Sequence, residues 1–97
     1  MTIVSCRLII HGQVQGVGYR YSMAKVAQHL QLAGWVRNRL DATVEALIQG
    51  DRIRVEELIA WAWRGPRAAV VSRIEITEEV DGETHADFCQ LPTSIGF

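Results

Sequence analysis

The 97-residue sequence contains two prolines, two cysteines and one lysine, and no apolar stretch long enough to span a bilayer. Each shortage excludes something. Two cysteines, Cys6 and Cys89, do not make a disulfide framework, and they are not spaced as metal ligands. The expectation is two buried free thiols on strands. The run from Ile3 to Ile10 is interrupted by Ser5, Cys6 and Arg7, so neither a membrane span nor a signal peptide is read there, and a cytoplasmic location is expected. Charge of one sign is also missing. The formal net charge is −1, which leaves no reason to expect a nucleic-acid or membrane partner. Nine of the ten basic residues are arginine, with Lys25 the exception, and no function is drawn from that bias.

What is present is the composition of a folded chain. Apolar residues make up 48% of it, which argues against disorder, and the length suits one domain over residues 1–97. No repeat, linker or low-complexity tract divides it. Residues 3–11, IVSCRLIIH, read as a strand with Val4, Cys6, Leu8 and Ile10 on one face. Residues 21–31 read as a helix, with Met23, Val26, Ala27 and Leu30 at helical spacing and Ser22 as its N-cap. Residues 34–39 and 43–49 form two strands whose short link around Leu40, Asp41 and Ala42 predicts an antiparallel hairpin. Val44, Ala46 and Ile48 share a face of the second of these strands.

A second helix is expected from about Asp51, as its cap, to Arg64, with Val55, Leu58, Ile59 and Ala62 as its apolar stripe and Gly65-Pro66 as its stop. Strands over roughly 69–78 and 86–91 follow, separated by a turn at Asp81-Gly82. The order β-α-β-β-α-β plus a short terminal strand is that of an α+β, ferredoxin-like split βαβ sandwich, with both helices on one face of a mixed, mainly antiparallel sheet. That fold hosts many functions, so function has to come from a site.

The candidate site is the stretch HGQVQGVGYR, residues 11–20, between the first strand and the first helix. Gly16 and Gly18 can take positive φ where other residues would be strained. Alternating conformations there would turn successive amides toward one point, and a helix N-terminus behind them adds further free N–H groups. Such a nest suits a phosphate-sized oxyanion. A P-loop would need Gly-Lys-Ser/Thr, and a dinucleotide fingerprint would need a third glycine where Tyr21 stands. A ligand-free turn is the plain alternative, but Arg20 weighs against it. A cation at a helix N-terminus is mildly unfavourable, by about 0.3–1 kcal/mol, unless an anion lies between them. A guanidinium matches two phosphate oxygens.

Gly12-Gln13-Val14-Gln15-Gly16-Val17-Gly18-Tyr19-Arg20 closely resembles the first signature of acylphosphatases, and Gly34-Trp35-Val36-Arg37-Asn38 resembles the second. Gly65-Pro66, with Ala69 and Val71, looks like the family's helix-to-strand junction, and Trp61 fits its second helix. The resemblance spans about residues 4–91. It implies a metal-free hydrolase with no cofactor that splits small acyl phosphates into carboxylate and phosphate. By matching positions, Arg20 and the loop amides of Gln15, Gly16, Val17, Gly18 and Tyr19 would hold the phosphate, and Asn38 would orient the attacking water. Inorganic phosphate or sulfate would occupy the same loop. Tyr19 stands where Phe is usual and is expected to anchor the core.

Gln31 and Ala42 replace common glycines, and Ala42 would be strained if its φ is positive. The tail from Pro92 to Phe97 follows no family pattern.

Other residues are read as bystanders. His11 adjoins the loop as a conceivable base but, at the end of strand one, is expected to be partly solvated, and His29 and His85 lack ligand partners at metal spacing. Trp35 and Trp63 are expected to pack. Arg37 and Arg39 should lie on the face opposite Asn38, solvated, as should the acidic group Glu75, Glu78, Glu79, Asp81 and Glu83. A monomer is the default. A silent phosphate-binding module would keep the loop and Arg20 but would not need Asn38. An RNA-binding domain is disfavoured, because Gly-Val-Gly-Tyr falls in a loop and not on a strand with outward-facing aromatics.

Overall fold

The computed structural model describes residues 2–80 and 83–95, so the expected turn at Asp81-Gly82 lies outside the described residues. Seven elements follow in order: β1 (Ile3–Gln13), α1 (Tyr19–His29), β2 (Ala33–Asn38), β3 (Val44–Asp51), α2 (Arg52–Arg64), β4 (Val70–Glu79) and β5 (Phe88–Gln90). The strands form one sheet in the order β4-β1-β3-β2-β5. Every pairing is antiparallel except β2 with β5. This is the α+β, ferredoxin-like arrangement, with two helices on a mixed five-stranded sheet. No helix among the described residues is long and apolar enough to cross a membrane.

Strand alternation decides what the helices cover. In register, Cys6 faces Ile48, Leu8 faces Ala46 and Ile10 faces Val44. All six side chains are buried beneath Met23, Ala24 and Ala27 of α1 and Val55, Leu58 and Ala62 of α2. Burial on this scale is the main stabilising term of the domain. Of the expected helix stripes, Val26, Leu30 and Ile59 are only partly buried and pack around that core.

The opposite face of the sheet is polar but not simply solvated. Glu45 is 5% exposed there and accepts from Arg37 Nε at 2.8 Å and Arg7 Nη1 at 3.1 Å. Arg37 also lies over Trp35, 4.7 Å from the ring centroid. Arg39 pairs with Asp41 at 3.5 Å. The expectation that Arg37 and Arg39 are merely solvated is therefore corrected: both are ion-paired, and β3 presents a buried carboxylate to Arg37 and Arg7, since a buried charge needs partners. The acidic residues of β4 are likewise engaged, with Glu75 on His11 and Arg73, Glu78 on Arg52, and Glu79 on Arg7. Two further expectations change. Cys89 is exposed, and Trp63 on the outer face of α2 is half exposed at 49%.

The helix starts also differ from their sequence signals. α1 begins at Tyr19 behind Gly18, whose φ of 77° makes it the N-cap, so Ser22 lies inside the first turn, its amide donating to Gly18 O at 3.0 Å. The left-handed glycine turns the chain into the helix two residues before the expected start. Asp51 precedes α2 but forms no side-chain cap. The amide of Arg52 instead donates to Thr2 O at 2.9 Å, which ties the start of α2 to the start of β1.

Candidate active site

The chain between β1 and α1 crosses the end of the sheet beside the last residue of β2. Gly16 and Gly18 have φ of 74° and 77°, and space for a Cβ is open at both, so the backbone conformation is what demands glycine there. The amides of Gly16, Val17 and Gly18 donate to no backbone carbonyl among the described residues. α1 adds its own unsatisfied amides, because it has neither a side-chain cap nor an acidic residue in its first turn. Val17 packs against the core and pins the middle of the loop. Gln15 Nε2 donates to Arg39 O at 2.8 Å and to Thr43 O at 2.9 Å, which staples the loop to the β2–β3 turn.

Tyr19 begins the helix from within the core. It is 1% exposed, its ring lies 5.5 Å from that of Trp61, and its hydroxyl donates to Ala62 O at 2.7 Å. Burial pushes the phenol well above its ordinary range, so it supplies neither a proton nor a charge near neutral pH.

One cleft joins these parts. It is lined by Val14, Gly16, Gly18, Tyr19, Arg20, Tyr21, Asn38 and Gln90. Arg20, in the first turn of α1, reaches across and donates from Nη1 to Leu91 O at 3.4 Å. Asn38 ends β2 opposite Val44 and therefore points to the helix side of the sheet, away from Arg37. Its Oδ1 is buried without a hydrogen-bond partner among the described residues. A buried acceptor left open is costly, of order 1–3 kcal/mol, and calls for a role.

Of the three histidines set aside from the sequence, His11 bonds Glu75 at 2.6 Å on the far face of the sheet, and none lines the cleft.

The acylphosphatase family model matches residues 6–89. The chain belongs to the acylphosphatase family. It is 53% identical over 83 residues to the acylphosphatase of Thermococcus kodakarensis, covering 84% of this chain and 91% of that protein. It is 50% identical over 84 residues to that of Acaryochloris marina, covering 87% and 90%. Among solved structures, the acylphosphatase of Bacillus subtilis superposes with a TM-score of 0.88 at 35% identity, over 91% of this chain and 98% of that one. The chain is thus an acyl-phosphate hydrolase with a small-molecule substrate, and the silent-module reading gives way to an enzyme.

Gln90 and Leu91 enter the site without a motif to announce them. Residues 91–94 continue along the edge of β2, with Leu91 N donating to Val36 O and Ser94 N to Asn38 O, each at 2.9 Å. Gln90 so lines the cleft, and Leu91, just before Pro92, offers its carbonyl to Arg20. The available signal was parity: Gln90 is two residues beyond Phe88, and in a strand both fall on the same face.

Proposed function

We propose that Gln15 to Tyr19 and Arg20 hold the phosphoryl group while Asn38 orients the water that attacks it. The observation that carries this reading is the open acceptor Asn38 Oδ1 on the same cleft as Gly16, Gly18 and Arg20. Oδ1 accepts one proton of the water and turns a lone pair toward phosphorus. The water oxygen forms a bond to phosphorus as the bond from phosphorus to the acyl oxygen breaks. The electron pair leaves on the carboxylate, and the water's proton passes to a phosphate oxygen. A carboxylate with a pKa of about 4 leaves at neutral pH without a general acid.

The remaining demand is electrostatic. Three equatorial oxygens carry charge, and preorganised amides with one guanidinium meet them. This division of labour requires neither a metal nor an enzyme base. Inorganic phosphate and sulfate occupy the same cradle as competitive inhibitors. A monomer is the proposed working unit. Two free thiols suit a reducing compartment such as the cytoplasm.

The test is hydrolysis of benzoyl phosphate in EDTA, with p-nitrophenyl phosphate alongside. The expected result is rapid loss of the first and little of the second, whose leaving group is far more basic. Arg20→Ala should lower kcat/KM by at least ~10²-fold, the loss typical of removing one preorganised donor. Retained activity in Arg20→Ala, or a pH–rate profile that requires an enzyme base, would overturn the reading.

A further inference from the structure

An acyl phosphate places its carbonyl carbon one oxygen away from phosphorus, so the acyl half must occupy the same cleft as the phosphate. The floor is closed to it. Val14 and Tyr19 are each 1% exposed, and the Tyr19 hydroxyl is committed to Ala62. The group must leave toward the rim, where Tyr21 and Gln90 stand on opposite elements, α1 and β5. Neither side chain is buried in the core. Tyr21 is 59% exposed, so its ring is open to a ligand at the rim. Gln90 is also exposed, and its carboxamide bonds to nothing among the described residues.

The geometry points to an acyl subsite formed by these two side chains, in which the Tyr21 ring stacks on a flat acyl group and the Gln90 amide donates to the acyl carbonyl oxygen. The inference rests on the phosphate lying in the glycine loop, as proposed above. Lys25, one turn along α1, holds its ammonium 5.4 Å from the Tyr21 ring centroid and engages one face of that ring. In the proposed subsite the acyl group takes the face away from Lys25. A carboxamide is suited to the carbonyl because its NH₂ carries two donors and no charge that a departing carboxylate would trap. The substrate class is therefore acyl phosphates with a planar, conjugated acyl group, favoured over small aliphatic ones.

The experiment compares benzoyl phosphate with acetyl phosphate in wild type, Tyr21→Ala, Tyr21→Phe and Gln90→Ala, with the inhibition constant of inorganic phosphate measured in each. Wild type should prefer benzoyl phosphate. In Tyr21→Ala that preference should fall about 3- to 10-fold, through KM, as expected for loss of one aromatic contact. Tyr21→Phe should restore it. Gln90→Ala should lower kcat/KM about 3- to 10-fold on both substrates, since both carry the carbonyl.

The inhibition constant of phosphate should be the same in all four proteins, because the phosphate half touches neither side chain. An unchanged substrate preference in Tyr21→Ala, or a shifted phosphate constant in either alanine variant, would overturn the subsite while leaving the loop reading intact. An active Arg20→Ala enzyme would instead strike at the loop reading itself, and a wild type inactive on both substrates would overturn the two together.

Discussion

Asn38 and Ala42 lie four residues apart, and both are held in states that cost stability, for different reasons. Asn38 Oδ1 finds no hydrogen-bond partner among the described residues, and a polar group so placed serves a role other than packing. Asn38→Ala should lower kcat about 10²-fold, the scale of a lost positioning contact. The same substitution removes an unsatisfied acceptor, so the melting temperature should stay level or rise. Kinetics and thermal melting on one preparation check both halves, and a variant that loses activity only by unfolding would contradict them. Ala42 has φ of 71°, as Gln31 has φ of 58°, both in the left-handed region. Ala42→Gly relieves about 1 kcal/mol of strain and returns part of it as unfolded-chain entropy, for a net gain of about 0.5 kcal/mol. Differential scanning calorimetry should show a rise of about 2–4 °C for a domain of this size. Gln31 is a poorer target, because its Oε1 accepts from Arg54 Nη1 at 2.7 Å.

Between elements, the decisive contact is the Tyr19 hydroxyl of α1 on the last turn of α2. In a regular helix, Ala62 O would accept from the amide four residues on, but that residue is Pro66 and has no N–H. Tyr19 supplies the missing donor at 2.7 Å, within the core. The glycine that ends α2, Gly65, must lack a Cβ for this contact, since one built there comes within 2.9 Å of the Tyr19 ring. Tyr19→Phe keeps the ring and leaves a buried carbonyl unpaired, at a cost of about 1–3 kcal/mol. Urea unfolding should show that loss with an unchanged denaturant slope. Because the hydroxyl points away from the cleft, kcat of the folded variant should match wild type.

At the scale of the whole molecule, ionisable groups set the pH range of stability. Burial raises the Cys6 thiol from its ordinary value of 9.0, with Glu78 adding to the shift, and raises the Tyr19 phenol from 10.0. A group whose folded pKa lies above its unfolded one stabilises fully below the unfolded value and loses that contribution as pH rises. Stability should therefore hold to about pH 9 and decline above it, as the unfolded chain ionises first. On the acid side the sign reverses. The Thr43 hydroxyl, then its amide, hold Asp41 below its ordinary value, and the hydrogen bond from His11 does so for Glu75. Their contribution is present above the ordinary carboxylate range and is lost as pH falls through the folded values. Both carboxylates are exposed, so this limb is shallow. Urea midpoints at pH 7 and pH 10 test the steeper one, and an equal or higher midpoint at pH 10 would contradict it.

The sequence by itself determined the alternation of elements, the buried faces of β1 and β3, and the two glycine-centred stretches. These follow from periods of 2 and 3.6 and from the φ that only glycine accepts freely, all of which act over a few residues. Arg20 and Asn38, and their service of one phosphate, were legible only because their stretches resemble known signatures, since 18 positions separate them and no local pattern brings them together. Only the tertiary structure decided the rest. Glu45 is buried because Arg7 and Arg37 reach it from two neighbouring strands. The start of α1 was set by Gly18, not Ser22, because a left-handed residue redirected the chain. Gln90 entered the cleft, and Leu91 O came within reach of Arg20, through parallel pairing of β5 with β2, a long-range choice. Burial, pairing and the aim of a side chain are properties of what lies opposite in space, and a linear pattern carries them only where the partner is close in sequence.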